Sequence, residues 1–281
     1  MNSKKLLAQW GLKWNPFSPE LPGEALLATP RIDHFAWRIE QLVQEGGFAL
    51  ITGDSGTGKS VAMRIVAGRL STLRDVSVGV IQRPQSRVPD FYRELGDIFS
   101  VKLTSHNRWG GFRALRERWK THVASSRIKP VLLIDEAQEM NPDVLGELRI
   151  LSSADFDATS LLTVILSGDS RLLELLGQED LFPLKSRIRT RLITEPAPRE
   201  ESLELLQHAL AKAGNASLMT SELMETLVDH SAGNYRSLMI MGAELLAYGM
   251  AHELAQLDEK SYLEVYQPRN SRPAQKKKAK V

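Results

Sequence analysis

Gly53-Asp54-Ser55-Gly56-Thr57-Gly58-Lys59-Ser60 follows an uninterrupted apolar run, Phe48-Ala49-Leu50-Ile51. After it come Ala62, Ile65, Val66 and Leu70 at helical spacing. The octapeptide fits G-x-x-x-x-G-K-[ST] in the context the pattern requires, a buried strand before it and an amphipathic helix after it. Glycines let the chain turn so that successive N–H groups point inward at phosphate oxygens, and the helix N-terminus adds unpaired donors and a favourable dipole. Gly53, Asp54, Ser55, Gly56, Thr57 and Gly58 form the expected cradle. Lys59 is expected to reach the β- and γ-phosphates, and Ser60 to ligate Mg²⁺.

Working outward, Val76–Ile81, Val131–Ile134 and Leu161–Leu166 read as further strands, with a short fifth including Leu192-Ile193. Helical patterns lie between them: Phe35, Ile39 and Leu42; Phe91, Leu95 and Ile98; Phe112, Leu115 and Trp119; Leu145, Leu148 and Leu151. Alternation of strand and helix indicates a parallel α/β sheet. The strands are continuously apolar, as strands covered on both faces are. After Pro196 and Pro198 the strand signals stop, and Leu203 to Tyr248 show helical spacing alone. The expected organisation is an irregular N-terminal segment over 1–30, an α/β nucleotide-binding domain over 31–197, a helical lid over 198–265 and a basic tail over 266–281.

The strand Val131-Leu132-Leu133-Ile134 ends in Asp135-Glu136. Ligands of open α/β sheets sit beyond the carboxyl ends of strands. Asp135 is therefore expected in the Mg²⁺ shell, and Glu136 is expected to orient or deprotonate the attacking water. With GDSGTGKS and VLLIDE in place, the sequence resembles the AAA+ ATPases, taking these as Walker A and Walker B. That resemblance implies a five-stranded core, a helical lid, ATP hydrolysis with Mg²⁺ and a homo-oligomer, ring or filament. In the run Ile165-Leu166-Ser167-Gly168-Asp169, Ser167 or Asp169 takes the sensor 1 place. In Lys185-Ser186-Arg187-Ile188-Arg189-Thr190-Arg191, Arg187 or Arg189 takes that of the arginine finger, which acts on a neighbour's nucleotide. In Ala232-Gly233-Asn234-Tyr235-Arg236, Arg236 takes the sensor 2 place and binds nucleotide from the lid.

Within that family, the chain resembles transposition regulators of the TnsC, TniB and MuB type and the ATPase part of ExeA-type secretion proteins; Trp14-Asn15-Pro16-Phe17 resembles the ExeA-type start, and the DEAQ form of Walker B (Asp135 to Gln138) fits the same group. The transposition branch implies double-stranded DNA, a transposase and a target selector as partners. The alternative is a secretion-linked or protein-remodelling ATPase without a DNA role.

Charge bears on the same choice. The chain of 281 residues carries a net +2. Six cations and no acid follow Glu264, which leaves −4 for the residues up to it. Within this acidic body, residues 83–122 hold nine cations and four acids. Such a cluster is an electrostatic footprint for phosphates. Lys102, Thr104 and Arg108 are the expected DNA contacts, made to the backbone without base readout. Trp109 beside them reads as a packing residue.

The 42% apolar and 25% charged fractions are those of an ordinary globular protein. Cys is absent, which excludes disulfides, thiolate zinc sites and a cysteine nucleophile, and suits a cytoplasmic location. No apolar run is long enough for a membrane helix, and the N-terminus lacks a signal-peptide pattern, so no membrane association is expected.

Overall fold

The computed structural model describes residues 8–102, 108–122, 125, 127–155 and 158–266. They form two compact units, one running from Pro22 to Ala197 and one combining the N-terminal residues through Leu21 with those from Pro198 onward. The α/β unit contains, in chain order, α1 (Pro30–Glu45), β1 (Gly47–Gly53), α2 (Lys59–Ser71), β2 (Val76–Ile81), α3 (Val88–Ile98), α4 (Arg108–Thr121) and β3 (Lys129–Ile134). Then follow α5 (Pro142–Ser152), β4 (Ser153–Ala154), β5 (Thr159–Ser160), β6 (Thr163–Gly168), α6 (Ser170–Leu175), α7 (Phe182–Lys185) and β7 (Ile188–Thr194).

Five strands form one parallel sheet in the order β2-β3-β6-β1-β7. The short β4 and β5 pair separately as an antiparallel ribbon. Alternate residues of each strand enter opposite cores. Phe48, Leu50, Leu132, Ile134, Val164 and Leu166 join the core that includes α3, α4 and α5 residues. Ala49, Ile51, Val131, Leu133 and Ile165 join the core built with α1 and α2. Burial on both faces is why the strands read as unbroken apolar runs.

The fifth strand is longer than its Leu192-Ile193 signal. In β7 only Thr190 and Leu192 are buried, while Arg189, Arg191 and Ile193 face outward on an edge strand. That edge is protected from outside pairing. Arg31 donates to Ile193 O at 2.8 Å and Arg38 to Arg189 O at 3.3 Å, both from one face of α1.

The second unit contains α8 (Arg199–Ala213), α9 (Ser221–Ser231), α10 (Tyr235–Ala251) and α11 (Glu259–Tyr266). The N-terminal segment expected as a separate stretch over 1–30 divides at residues 21 and 22. Its first part is woven into these helices. Trp10 Nε1 donates to Leu254 O at 2.9 Å, Lys13 N to Ala213 O at 2.8 Å, and Asn215 Nδ2 to Trp10 O at 3.0 Å. In Trp14-Asn15-Pro16-Phe17, Asn15 Oδ1 accepts from Phe17 N at 2.9 Å. This side-chain turn drives Phe17 into the helical core beside Trp10, Leu245 and Leu246. The basic tail lies outside the described residues beyond Tyr266. Among the described residues, no helix is long and apolar enough to cross a membrane.

Candidate active site

Strand register assembles the site. Ile134 pairs with Leu166, and Leu166 with Leu50, so the carboxyl ends of β3, β6 and β1 lie side by side. The next residues are Asp135 and Ser167, beside the Gly53 end of β1. Ser167 is fully buried, and its hydroxyl donates to Asp135 Oδ1 at 2.7 Å. The N–H of Glu136 donates to the same oxygen at 3.0 Å. One oxygen of Asp135 is thus fixed by two donors.

The phosphate loop is held by its own side chains. Gly56 and Gly58 have φ of 84° and 97°, the left-handed region that favours glycine. A Cβ on Gly53 would collide with the Thr194 hydroxyl and carbonyl. Thr57 is buried; its hydroxyl donates to Asp54 O at 2.7 Å and lies 2.7 Å from Thr194 Oγ1. Lys59 is only 8% exposed, and its ammonium donates to Gly53 O and Asp54 O, both at 2.9 Å. Asp54, Ser55 and Ser60 are exposed at the loop surface. A buried ammonium, glycines with positive φ and a helix N-terminus fit a polyphosphate. Among the described residues, no group of three or more His, Cys, Asp or Glu side chains is arranged to hold a metal. The Ser60 hydroxyl and the Asp135 carboxylate are the oxygen donors that would hold a hard cation such as Mg²⁺ here.

The two sensor 1 candidates separate. Asp169 caps α6, accepting from Arg171 N at 2.9 Å, and pairs with the Arg171 guanidinium at 2.9 Å. The Arg171 hydrogen bond holds its pKa below the ordinary carboxylate range. The Asp169 carboxylate is thereby tied to a cation, while the neutral Ser167 hydroxyl contacts the Asp135 carboxylate.

The finger candidates lie at the other end of the sheet. Ile188 pairs with Phe48 and Thr194 with Gly53, so five residues of β1 separate the start of β7 from the phosphate loop. That is about 16 Å at 3.3 Å per residue. Arg187 and Arg189 are therefore far from their own chain's loop. Arg187 is half-buried; Arg189 is exposed and pairs with Glu45 at 2.7 Å. Arg236 is exposed in the first turn of α10, in the helical unit.

The expected DNA contacts fare unequally. Lys102 is exposed. Thr104 lies outside the described residues. Arg108, first residue of α4, pairs with Glu147 of α5, whose side chain is 6% exposed. Tyr92 donates to the same carboxylate at 2.6 Å. Arg108 therefore anchors α4 to a buried acid, a partner the sequence did not reveal. Arg116 donates to the carbonyls of Ile150 and Leu151 and caps the end of α5. Trp109 corrects the packing expectation: it is 71% exposed and stacks on Phe112 at 5.5 Å.

With this geometry in view, the likeness to known proteins is informative. Residues 41–176 match the AAA_22 family model, described as an AAA domain. The chain is 28% identical over 229 residues to General secretion pathway protein A of Aeromonas hydrophila, covering 80% of this chain and 41% of that protein. It therefore spans about two fifths of the length of the curated relative it matches. Cdc6p from Pyrobaculum aerophilum superposes with a TM-score of 0.70 at 15% identity, over 89% of this chain and 70% of that one. Drosophila ORC bound to DNA superposes with a TM-score of 0.68 at 17% identity, over 94% and 65%.

Proposed function

We propose that the chain, whose fold is that of the AAA+ P-loop ATPases with an α/β core, a five-stranded parallel sheet and helical elements, binds ATP with Mg²⁺ and hydrolyses it to ADP and phosphate, using the state of the nucleotide to switch an oligomer. The observation that supports this best is the register-built cluster of Lys59, Asp135 and Ser167 at the end of β1. Lys59 and the loop N–H groups bind the phosphates. Asp135 and Ser60 hold the metal, which supplies charge neutralisation on the phosphates when bound. Glu136 takes the proton of the attacking water. Ser167 orients Asp135. Arg187, and after it Arg189, serve a neighbouring subunit's nucleotide, because β7 starts too far away to serve their own. Arg236 keeps the nucleotide-sensing role that the resemblance implies.

The output we propose is ATP-dependent assembly on double-stranded DNA in the cytoplasm, regulating a transposase by delivering a target site or activating the enzyme, in concert with a target selector. The cation excess of residues 83–122 supports the DNA part, and a structural neighbour is described as bound to DNA. Lys102, Arg113, Arg118 and Lys120 are among the exposed cations of that stretch. Transposition rests on the resemblance to the TnsC, TniB and MuB regulators alone, since the Trp14–Phe17 opening resembles the ExeA-type start. The second reading is secretion-linked, and the Aeromonas relative favours it. DNA retention with ATP, ADP and no nucleotide, at two salt concentrations, separates them. The DNA reading expects ATP-dependent retention that falls steeply with salt, with a log–log slope of about −0.9 per phosphate neutralised. Equal retention in all three states, or none at low salt with ATP, favours the secretion-linked reading.

A further inference from the structure

Glu136 sits on a tight turn, with φ 51° and ψ 39°, just before the short turn Ala137–Glu139. Its side chain is exposed and has three rotatable bonds. A base that acts on a positioned water needs that carboxylate held in one place. The structure supplies a holder in Gln138, the last residue of the DEAQ stretch. Gln138 Nε2 donates to Glu136 Oε2, and Gln138 Oε1 accepts from Asp169 N at 3.3 Å.

The direction of this bridge is fixed by chemistry. The backbone N–H of Asp169 can only donate, so the amide oxygen must face it. The amide nitrogen is then turned to Glu136, where it meets a carboxylate that can only accept. Room for the amide comes from Gly168. A Cβ there would lie 2.5 Å from Gln138 Oε1 and 2.8 Å from Leu172 Cδ2. A second link runs parallel to the first. Arg171 pairs with Asp169 at 2.9 Å and with Glu139 at 3.0 Å. The turn carrying Glu136 is thus joined to the turn after β6 by an amide bridge and an ion bridge. The same stretch of β6 carries Ser167, which holds Asp135.

We infer that Gln138 is a positioning residue that fixes the Glu136 carboxylate against the carboxyl end of β6, so that hydrolysis depends on it and nucleotide binding does not. The inference rests on Glu136 acting as the base. The hydrogen bonds of Gln138 run to Glu136 and Asp169. Its loss leaves the phosphate cradle intact while freeing the carboxylate to sample other rotamers. Misplacement by about 1 Å costs on the order of 100-fold in rate.

The test uses the full chain with ATP and Mg²⁺ under single-turnover conditions. Gln138→Met keeps the length and volume of the side chain but removes both hydrogen bonds. Gly168→Ala leaves Gln138 in place but takes its room. Both are expected to lower the hydrolysis rate by about 10- to 100-fold and to leave ATP affinity within about twofold. Because Gln138 acts through Glu136, adding Gln138→Met to Glu136→Gln is expected to cause no further loss, a non-additivity typical of residues in contact. Wild-type rates in both single variants would overturn the inference. So would a matching loss of ATP affinity, or a fully additive double variant. Wild-type hydrolysis by Glu136→Gln alone would instead defeat the base assignment, whatever Gln138 does.

Discussion

Arg108 separates two roles that one arginine can play. Replacing it with Ala removes a guanidinium that is 66% exposed from a carboxylate that is 6% exposed. The exposed partner loses little. Glu147 keeps one donor, Tyr92 Oη at 2.6 Å, and gains no route to water beyond the gap left by the side chain. A buried acceptor stripped of a partner costs about 1–3 kcal/mol, and the solvent screening around Arg108 favours the lower half of that range. The α/β unit spans Pro22 to Ala197, and for a unit of this size 1 kcal/mol moves the midpoint by about 2–4 °C. Arg108→Ala is expected to lower its thermal midpoint by about 2–8 °C. Arg108→Ala combined with Tyr92→Phe is expected to lower it by more than the two shifts added, since together they leave the carboxylate bare. Differential scanning calorimetry of the chain without DNA is the assay. An unchanged midpoint in Arg108→Ala would refute the anchoring argument and return the residue to a contact role alone.

Other perturbations test other parts of the structure. Burial and the Glu147 hydrogen bond raise the Tyr92 pKa well above the ordinary value of 10.0. A raised folded-state pKa gives stability that is complete below pH 10 and lost as pH climbs above it. Stability should therefore fall above pH 10 with a steeper slope in wild type than in Tyr92→Phe; equal slopes would contradict this. If Arg187 acts between subunits, mixing inactive Arg187→Ala with inactive Lys59→Ala should restore part of the ATPase rate, because one supplies an intact pocket and the other an intact arginine. No recovery at any ratio counts against a shared site. Phe17→Ala should destabilise the helical unit by about 3–5 kcal/mol, as for a buried aromatic cut to Ala. Calorimetry should show an earlier transition for that unit, and an unchanged trace would deny the N-terminal segment its place in the core.

What the sequence reveals, and what it hides, follows from the physics of each element. The phosphate loop and strands β1, β3 and β6 are legible because both faces of these inner strands are buried, which leaves continuous apolar runs between turn signals, and the edge strand β2 is legible through its β-branched Val76, Val78, Val80 and Ile81. The edge strand β7 is under-read because Arg189 and Arg191 interrupt its apolar pattern while facing solvent. Register is silent in such strands, since a slip exchanges one apolar face for another; yet register is what sets Asp135 beside Ser167. Glu147 reads as an ordinary acidic position on a helix, and only packing shows that it is buried between α3 and α4 residues. Trp109 sits beside Phe112 and Trp119 in a plausible apolar stripe, and only the fold shows it stacked on the outside. Asn15-Pro16 does signal a turn, but its destination against α10 is a long-range contact that no local pattern encodes.

The cluster at the end of β1 is proposed to bind ATP through Lys59 and to hydrolyse it through Glu136. Equilibrium binding of ATP and single-turnover hydrolysis, measured together on wild type, Lys59→Ala and Glu136→Gln, test it most directly. Lys59→Ala is expected to lose ATP binding, and Glu136→Gln to bind like wild type but no longer hydrolyse, because Asp135 survives while the base does not. Equal ATP affinity in wild type and Lys59→Ala would contradict it.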